Sequence, residues 1–351
     1  MKIKVLVFPK DDNPYQELLY RSMSDVTIRY VRGFTPSRTI NTFLLPIELL
    51  YYRIIGYRIL HLHWVYPFHL SSTNRLIMRV SEVLLSAFLT LIRTMNYKLV
   101  WTAHNIVPHE RTFIDDHKMA LYLASRADKV IFLNNYVADT FIRDLPEIRN
   151  KVSIITQGNY LEYYDFGKAK ITKDKLVFGF VGQIKPYKGL HLLIPIIQKI
   201  KNPRIRLHIV GKCNDQSYLK KLIRLAKSDK RILIENRYID HKDLGSVVAS
   251  FGIVVLPFTS ITNSSTAMLA FSASRPLISP LIGGMKDYPA NTGFYYENRG
   301  GIEKAIRESI THASRWGILG SNAYKFALKN SWVDISKSTS RIYYDLVSSQ
   351  A

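Results

Sequence analysis

Two lysines and two glycines lie between an apolar strand-like run and an apolar helix-like run in the middle of the chain. The strand-like run, Val177–Val181, ends at Gly182. The loop then contains Lys185, Lys188 and Gly189 before the run LHLLIPIIQKI. A strand-to-helix loop presents unpaired backbone N–H groups and the positive end of a helix dipole to an anion. The sequence therefore predicts a diphosphate site here, and an ordinary loop with two solvated lysines is the alternative.

A second loop of this kind follows the apolar run Ile253–Pro257. It contains small hydroxyl and amide side chains, at Asn263, Ser264, Ser265 and Thr266. Such residues cap helix N-termini and hydrogen-bond to phosphate. Two loops of this type in one domain can hold one diphosphate between them, and this favours the anion-site interpretation of the first loop.

Histidines collect at the ends of apolar runs in the first half of the chain. His61 lies in HLHW, whereas His104 and His109 lie in TAHNIVPHER together with Glu110. A histidine inside an apolar strand is more often a core residue, which is the favoured interpretation of His61. His104 ends its strand and is the stronger candidate for a functional side chain.

The loop after the first apolar run, PKDDNPYQ, adds polar side chains at the same predicted strand ends. Asp12 is a candidate acid or base there. Asn13 and Tyr15 of this loop, with His63 and Trp64 of HLHW, are the candidate residues for binding an acceptor substrate.

Short apolar runs alternate with helical ones along the chain, which predicts βαβ units and parallel sheets. In the first half, strands are predicted at Ile3–Phe8, Val26–Val31, Ile59–Trp64, Leu99–His104, Val130–Leu133 and Val152–Ile155, with helices near 14–24, 43–57, 74–96, 117–126 and 135–143. In the second half, strands are predicted at Val177–Val181, Arg206–Val210, Ile232–Glu235, Ile253–Leu256 and Pro276–Ser279, with helices that include Ser217–Leu225 and Lys242–Ser250.

The predicted fold class is α/β, with two Rossmann-like, doubly wound parallel-sheet domains facing across a cleft. The polar segment Leu161–Asp174 interrupts the alternation and is the predicted linker. The expected domains are residues 1–165 and 166–331. One more amphipathic helix is expected at 332–351. Ligands of open α/β sheets bind outside the carboxyl ends of the strands, where the candidate residues lie.

Composition restricts the class of partner. A net charge of +22, from 49 Lys and Arg against 27 Asp and Glu, indicates a polyanionic partner such as nucleic acid, an anionic membrane or an anionic substrate. The 22 tyrosines argue against a disordered basic protein. Cys213 is the single cysteine, which fits a reducing cytosol. The N-terminus MKIKVLVFPKDD is expected to be a strand and not a signal peptide.

No His or Cys spacing typical of a metal site is present in the sequence. The acidic pairs Asp11-Asp12 and Asp115-Asp116 also lack the Asp-x-Asp spacing often used for a metal-bound diphosphate. We therefore expect no obligatory metal and no cofactor, and the lysines would supply the charge stabilisation.

The stretch from Thr35 to Val100 is both apolar and basic, with seven Arg and Lys against Glu48 and Glu82. Charged residues interrupt its longest apolar run, so a membrane span is not expected. Arginines beside Leu, Ile, Phe and Tyr on amphipathic helices are typical of a protein that lies on an anionic bilayer. We predict helices with one face in the core and the other on a membrane.

Four stretches together resemble the GT-B-fold, family-4-like nucleotide-sugar glycosyltransferases of surface-polysaccharide and lipid-linked glycan assembly. They are HLHW at 61–64, WTAHN at 101–105, FGFVGQIKPYKG at 178–189 and TNSSTAMLAFSASRPLISP at 262–280. The resemblance covers nearly the whole chain. It implies that residues 1–165 bind the acceptor and face the membrane, that residues 166–331 bind the donor, and that the helix at 332–351 crosses back to the first domain. It implies a metal-independent hexosyltransferase that is cytoplasmic and peripheral on the inner face of the cell membrane.

The resemblance also implies roles for single residues. Lys185 and Lys188 match the basic residues on the donor diphosphate, and Gly182 matches the loop glycine. Thr262–Thr266 match the second diphosphate loop. His104 matches a strand-end histidine beside the donor sugar. Arg237 and Tyr238 match the stretch that contacts the nucleotide base.

The sequence departs from the family where its retaining members usually carry two glutamates eight positions apart. Alignment on Arg275-Pro276 places Ile261 and Leu269 at those positions. Contacts from acids to the sugar and the ribose are therefore not expected, and inversion is left open. An inverting enzyme needs one carboxylate base, for which Glu110 is the first candidate and Asp12 the second.

The implied function is transfer of a sugar from a nucleotide diphosphate sugar to a lipid-linked or polysaccharide acceptor at the cytoplasmic membrane face. The implied partners are that donor, a lipid-linked glycan and an anionic membrane surface, with no nucleic acid. The alternative is a basic, non-catalytic α/β protein that binds membranes or nucleic acid, which the charge permits. A dinucleotide oxidoreductase is excluded because the loop after the first strand has no glycine.

Overall fold

The computed structural model of the protein describes residues 2–35, 38–70, 74–104, 111–167, 175–298 and 300–348. The chain forms two compact units. The first contains the residues up to Thr156 together with the segment that begins at Trp332, and the second is Gln157–Ser331.

The division between the units falls at Gln157, before the predicted linker. The reason is visible in the hydrogen bonds of the segment that follows. Asn159 N donates to Asn330 O over 3.0 Å, and Tyr160 N donates to Ser272 Oγ over 2.9 Å. These bonds attach the residues just before the predicted linker, which begins at Leu161, to the second unit, so the division falls ahead of the polar segment.

Within the described residues, the first unit is built on a six-stranded parallel sheet in the order β2-β1-β3-β4-β5-β6. Its strands are β1 (Ile3–Phe8), β2 (Val26–Tyr30), β3 (Ile59–Leu62), β4 (Lys98–Ala103), β5 (Lys129–Phe132) and β6 (Val152–Ile154). Its helices up to β6 are α1 (Pro14–Arg21), α2 (Arg38–Ile54), α3 (Arg75–Thr94), α4 (Asp116–Arg126) and α5 (Asn135–Asp144).

The second unit is built on another parallel sheet, in the order β12-β11-β10-β7-β8-β9 among the residues that the structure describes. Its strands are β7 (Leu176–Val181), β8 (Ile205–Val210), β9 (Ile232–Glu235), β10 (Ile253–Val255), β11 (Leu277–Pro280) and β12 (Gly293–Tyr296). The remaining helices are α6 (Leu190–Lys199), α7 (Gln216–Ala226), α8 (His241–Ala249), α9 (Ser265–Ser272), α10 (Gly301–Thr311), α11 (Trp316–Lys329) and α12 (Trp332–Ser348), of which α12 belongs to the first unit.

The two faces of the first sheet differ in chemistry. One face is apolar and packs against α2 to α5 through a continuous cluster of buried side chains that includes Leu49, Phe88 and Phe141. The other face carries His61 near helices α1 and α12, and its ring contacts Tyr20 of α1 and Tyr343 of α12. Alternate residues of a strand point to opposite faces, so the position of a residue along its strand decides which face its side chain lies on.

Candidate functional site

The first candidate anion loop leaves β7 through a tight backbone turn. Gly182 has a φ of +126°, and its N–H donates to Val210 O over 3.2 Å. A Cβ built on Gly211 would lie 1.9 Å from Gly182 O, so the two backbones are in close contact. Only glycine adopts such a φ without strain, which explains both glycines at this edge of the sheet.

The loop ends in a short 3-10 turn, Pro186–Lys188, and in Gly189, whose φ of +72° lets it cap α6. The ammonium group of Lys188 lies 4.3 Å from the ring centroid of Phe258 and 5.1 Å from that of Tyr187. Burial, and then repulsion from Lys185, lowers the pKa of Lys188 to about 8. A bound anion would offset this desolvation, so the environment favours a negatively charged ligand.

The second candidate loop contributes the N-terminus of α9. Ser264 caps this helix because its Oγ accepts from Ala267 N over 3.3 Å. Ser265 is exposed and Thr266 is half-buried. A Cβ built on Gly182 would lie 3.8 Å from Thr266 Oγ1. The structure thus brings the two loops together within the second unit, with a hydroxyl group facing the glycine turn.

Arg237 and Tyr238 follow β9 at the same edge of the second sheet. Arg237 Nε donates to Glu235 Oε2 over 2.7 Å, and the other oxygen of Glu235 contacts His208 Nε2 at 2.5 Å. Tyr238 is 67% exposed, which leaves its ring face available for stacking on a base. Arg237 is therefore anchored through Glu235, and Asn263 completes the predicted donor residues as a half-buried side chain.

Arg275, on which the sequence was aligned with the family pattern, stabilises the fold of the second unit. It is buried, and its guanidinium donates to Ala249 O from Nη2 over 2.7 Å and from Nε over 3.2 Å. It therefore contacts the C-terminal carbonyl of α8, where a cation also complements the helix dipole.

In the first unit, the predicted His104 lies against three aromatic rings. Its Nε2 is 3.2 Å from His63 Nδ1. The Trp64 ring stacks on it with a centroid distance of 4.4 Å and an interplanar angle of 9°, and the Tyr15 ring meets it edge-on at 4.7 Å. Tyr15 and His63 are buried and contact His104, so little of either side chain is accessible to an acceptor sugar.

The chain of contacts continues inward from His63. Tyr20 Oη lies 2.7 Å from His63 Nε2 and 2.9 Å from His61 Nδ1. His61 Nδ1 is also 2.5 Å from Tyr343 Oη, and His61 Nε2 is 2.7 Å from Thr102 Oγ1. We call Thr102, His61, Tyr20, His63 and His104 the histidine column. Sequence reasoning missed Tyr20, Thr102 and Tyr343. Alternation along β4 was a usable signal for Thr102, because it puts residues 102 and 104 on one face of the strand.

The three imidazoles of the histidine column are neutral. Burial, and then the proximity of His104, lowers the pKa of His61 to about 3. Burial also holds the pKa of His63 and of His104 below the usual histidine range. All three imidazoles are therefore uncharged near pH 7, and each carries a single ring proton.

The remaining predicted residues of the first unit lie in loops. Asp12 is exposed directly before α1. Asn13 caps α1, because its Oδ1 accepts from Tyr15 N over 3.0 Å. Glu110, the first candidate base, and His109 lie outside the described residues.

Two further observations concern ligands and membranes. Across the described ranges, no group of three His, Cys, Asp or Glu residues is arranged to hold a metal ion. The helices in those ranges also include none with the length and apolar character needed to cross a bilayer.

An apolar cavity of about 470 Å³ opens beside α2 at the carboxyl ends of β1 and β2. Phe8, Leu45 and Phe68 form part of its wall, and Lys10 and Arg32 are two basic residues that line it. Its acid, Glu48, is buried and accepts hydrogen bonds from Arg32 N and Gly33 N, both over 3.1 Å. The cavity therefore combines apolar walls with exposed positive charge.

The outer surfaces of α2 and α3 carry exposed apolar side chains, which we call the outer patch: Ile40, Ile47, Leu50, Tyr51, Ile54, Leu76, Val80 and Val83. Exposed arginines at positions 75, 79 and 93 lie on α3, one of these two helices. A large exposed apolar patch next to basic residues marks an interaction surface.

Comparison with known proteins gives a family match that lies within the second unit. Residues 175–312 match the family described as Glycosyl transferases group 1. The chain is 29% identical over 227 residues to GDP-mannose:glycolipid 4-beta-D-mannosyltransferase of Xanthomonas campestris pv. campestris, covering 64% of this chain. It is 20% identical over 273 residues to the phosphatidylinositol N-acetylglucosaminyltransferase GPI3 subunit of Saccharomyces cerevisiae, covering 74% of this chain. The alignments span 61% and 60% of the lengths of these curated relatives.

Solved structures match nearly the whole chain. Anabaena HepE in complex with UDP superposes with a TM-score of 0.73 at 16% identity, covering 98% of this chain and 100% of that one. Sucrose-phosphate synthase from Thermosynechococcus elongatus superposes with a TM-score of 0.77 at 15% identity, covering 99% and 100%. At these identities the match establishes the fold, which is GT-B, and the α/β fold class and the resemblance expected from the sequence are confirmed.

Proposed function

We propose that this chain, which has the GT-B fold and a group 1 glycosyltransferase domain at residues 175–312, transfers a hexose from a nucleotide diphosphate sugar to a lipid-linked glycan. The observation that carries the proposal is the pairing of the two anion loops. The hydroxyl of Thr266 faces Gly182, and both loops lie inside the matched domain.

On the donor side, we assign Lys185, Lys188 and the N-termini of α6 and α9 to the diphosphate. In the transfer step the bond from the anomeric carbon to the phosphate oxygen breaks, and the diphosphate leaves with the bonding electrons. Positive charge and aligned N–H groups stabilise the negative charge that develops there. We assign the exposed ring of Tyr238 to stacking on the nucleotide base.

The nucleotide to test first is GDP, because the name of the Xanthomonas relative, which is 29% identical, specifies GDP-mannose. UDP is the second, because the HepE structure contains it. We propose a hexose donor in either case, and the screen described below distinguishes them.

We propose that transfer proceeds with inversion. Ile261 and Leu269 stand where retaining members of the resembled family carry acids, and neither can contact a sugar hydroxyl through a carboxylate. The name of the Xanthomonas relative also specifies a β-linkage. In an inverting step the acceptor oxygen bonds to the anomeric carbon as its proton passes to a carboxylate base, which is Glu110 or Asp12.

On the acceptor side, we propose that the first unit binds a glycolipid at the inner face of the cell membrane. The outer patch and its arginines suit an anionic bilayer surface. The cavity beside α2 offers apolar walls and the basic residues Lys10 and Arg32, which suit a phosphorylated lipid. Asn13 and Trp64 remain the candidates for contacts with the acceptor sugar.

The proposal is tested by incubating purified protein with GDP-mannose, UDP-glucose and a dTDP-sugar. Thermal shift measures binding, because a ligand stabilises the folded state by mass action, and released nucleotide measures turnover. We expect one nucleotide to stabilise the protein and Lys188→Ala to weaken its binding by about 100-fold. Lys220→Ala, at an exposed position on α7, is the matched control and should bind normally.

The contrary outcome is also clear. If no nucleotide at millimolar concentration shifts the melting temperature, the transferase assignment fails. Binding to anionic vesicles or to nucleic acid would then identify the protein as a basic, non-catalytic α/β protein.

A further inference from the structure

Tyr20 is the junction of the histidine column. Its hydroxyl oxygen lies within hydrogen-bond distance of two imidazole nitrogens, His63 Nε2 at 2.7 Å and His61 Nδ1 at 2.9 Å. All three side chains are buried, so water does not substitute for a missing partner at low cost. A phenol has one proton, and it can be donated to only one of these nitrogens at a time.

The direction of that proton fixes the protons of the next two residues. When Tyr20 donates to His63 Nε2, the proton of His63 must be on Nδ1, from which it is donated to His104 Nε2 over 3.2 Å. His104 then carries its own proton on Nδ1. When Tyr20 donates to His61 instead, His63 Nε2–H donates to Tyr20, and His104 Nε2–H donates to His63 Nδ1.

The two arrangements differ at the outer end of the column. In the first, Nδ1 of His104 is a hydrogen-bond donor, and in the second the same atom is an acceptor. Each hydrogen bond of the Tyr20–His63–His104 segment is satisfied in both, and neither arrangement needs a charged imidazole. Neutral reversal also suits the burial that disfavours an imidazolium in this cluster.

We infer that Tyr20 and His63 are positioning residues that decide which ring nitrogen of His104 carries the proton, and so decide whether His104 donates to a ligand or accepts from it. A ligand hydroxyl at His104 Nδ1 can be a donor or an acceptor, and the column reverses to match it. The link to sugar transfer rests on the function proposed above, whereas the coupled protonation of the column does not.

The inner end of the column has a second source of a proton. Tyr343 Oη lies 2.5 Å from His61 Nδ1, and His61 Nε2 is held by Thr102 Oγ1 at 2.7 Å. Tyr343 can satisfy His61 Nδ1 when the Tyr20 proton points towards His63. The column therefore does not leave His61 without a partner in the first arrangement.

The inference makes a prediction for the unmodified protein. His63 and His104 must carry their protons on the same type of ring nitrogen, both on Nδ1 or both on Nε2. The chemical shifts of the imidazole nitrogens report the tautomer directly when histidines are labelled with ¹⁵N. Signals are assigned with His63→Gln and His104→Gln.

The variant Tyr20→Phe removes the junction and retains the ring. We expect the tautomer ratios of His63 and His104 to change together in this variant. Tyr30→Phe is the matched control, because the Tyr30 ring packs edge-on against Tyr20 at 6.2 Å and is half-buried. Unlike tautomers at His63 and His104 in the unmodified protein would overturn the inference, and this measurement does not depend on the variant folding.

Turnover gives a separate measurement. With the donor that the nucleotide screen identifies, Tyr20→Phe should lower kcat by about tenfold while KM for the donor stays unchanged, since a misdirected tautomer weakens a proton contact in the transition state. Matched tautomers without any turnover would support the column and reject the transferase proposal. An unchanged kcat together with unchanged tautomers would reject the positioning role.

Discussion

The ammonium nitrogen of Lys188 lies 4.3 Å from the centroid of the Phe258 ring. Burial of the side chain, and then repulsion from the nearby Lys185, lower the pKa of Lys188 to about 8, so its charge changes within an accessible pH range. An anion bound beside it would raise that pKa. Nucleotide affinity should therefore be full below pH 8 and fall as the pH rises through 8, by up to about tenfold per pH unit.

This linkage is measured by calorimetry at pH 8 in two buffers with different ionisation enthalpies, which reveals the proton taken up on binding. Lys188→Arg is the control, because a guanidinium keeps its charge throughout this range. Its affinity should not decrease between pH 7 and 9. Equal pH-dependence in both proteins would assign the titration to another group.

Gly189 is predicted to tolerate no side chain. A Cβ at this position would lie 1.9 Å from Pro257 O, and its φ of +72° is strained for any other residue. Gly189→Ala should lower the free energy of unfolding of the second unit by at least about 2 kcal/mol, measured by urea denaturation. Gly317→Ala is the matched control: with no atom within 4 Å of its Cβ and a position in α11, it should stabilise by up to about 1 kcal/mol.

The histidine column is predicted to make stability sensitive to mild acid. In the unfolded chain a histidine binds a proton near pH 6.5, whereas folded His61 resists protonation down to about pH 3. Stability is therefore full above pH 6.5 and is lost as the pH falls below it. We expect a loss of about 1 kcal/mol per buried histidine between pH 7 and pH 5.5.

Denaturant titrations at the two pH values measure this loss. His63→Gln, which removes one of the three buried imidazoles, should reduce the difference between the two pH values. His312→Gln, at an exposed position, should leave it as it is. Stability that does not change down to pH 5.5 would mean that the column accepts protons in the folded state.

The outer patch is predicted to bind anionic membranes. Replacing Ile47 and Ile54 together by Glu removes apolar contact and adds repulsion, so partition onto vesicles containing phosphatidylglycerol should weaken by at least about tenfold. Sedimentation with vesicles measures it, and added salt should weaken the binding of the unmodified protein.

The control for the patch is Leu328→Glu on α11, because Leu328 is comparably exposed and belongs to the second unit. This variant should bind vesicles as the unmodified protein does. Equal loss in both proteins would point to a general effect of charge and would reject a specific membrane face on α2 and α3.

The sheets and the anion loops were within reach of the sequence, because each depends on local patterns. β1 and β9 begin and end at the predicted residues, Ile3–Phe8 and Ile232–Glu235. The second unit's last strand was not predicted, since Gly293–Tyr296 is four residues long and lacks a distinctive run.

The contacts that α1 and α12 make with His61 were beyond sequence reasoning for a physical reason. The polar partner Tyr343 lies 282 positions from His61 along the chain, and Tyr20 lies 41 positions from it. Local periodicity predicts the strand that carries His61 and the two helices, but it does not show that these helices pack over His61. The favoured interpretation of His61 as a buried residue was correct, yet burial alone did not reveal its hydrogen bonds.

Because α12 belongs to the first unit, that unit cannot be completed before the second unit has been synthesised. The ribosome completes all of residues 157–331 before it adds the segment that returns to the first unit. Until then, the surface that Tyr343 and Trp332 cover next to His61 and Tyr15 is without these partners. A nascent first unit is therefore missing one wall of its polar interior, and the burial of His61 is completed only after residues 332–348 have been made and have packed against it.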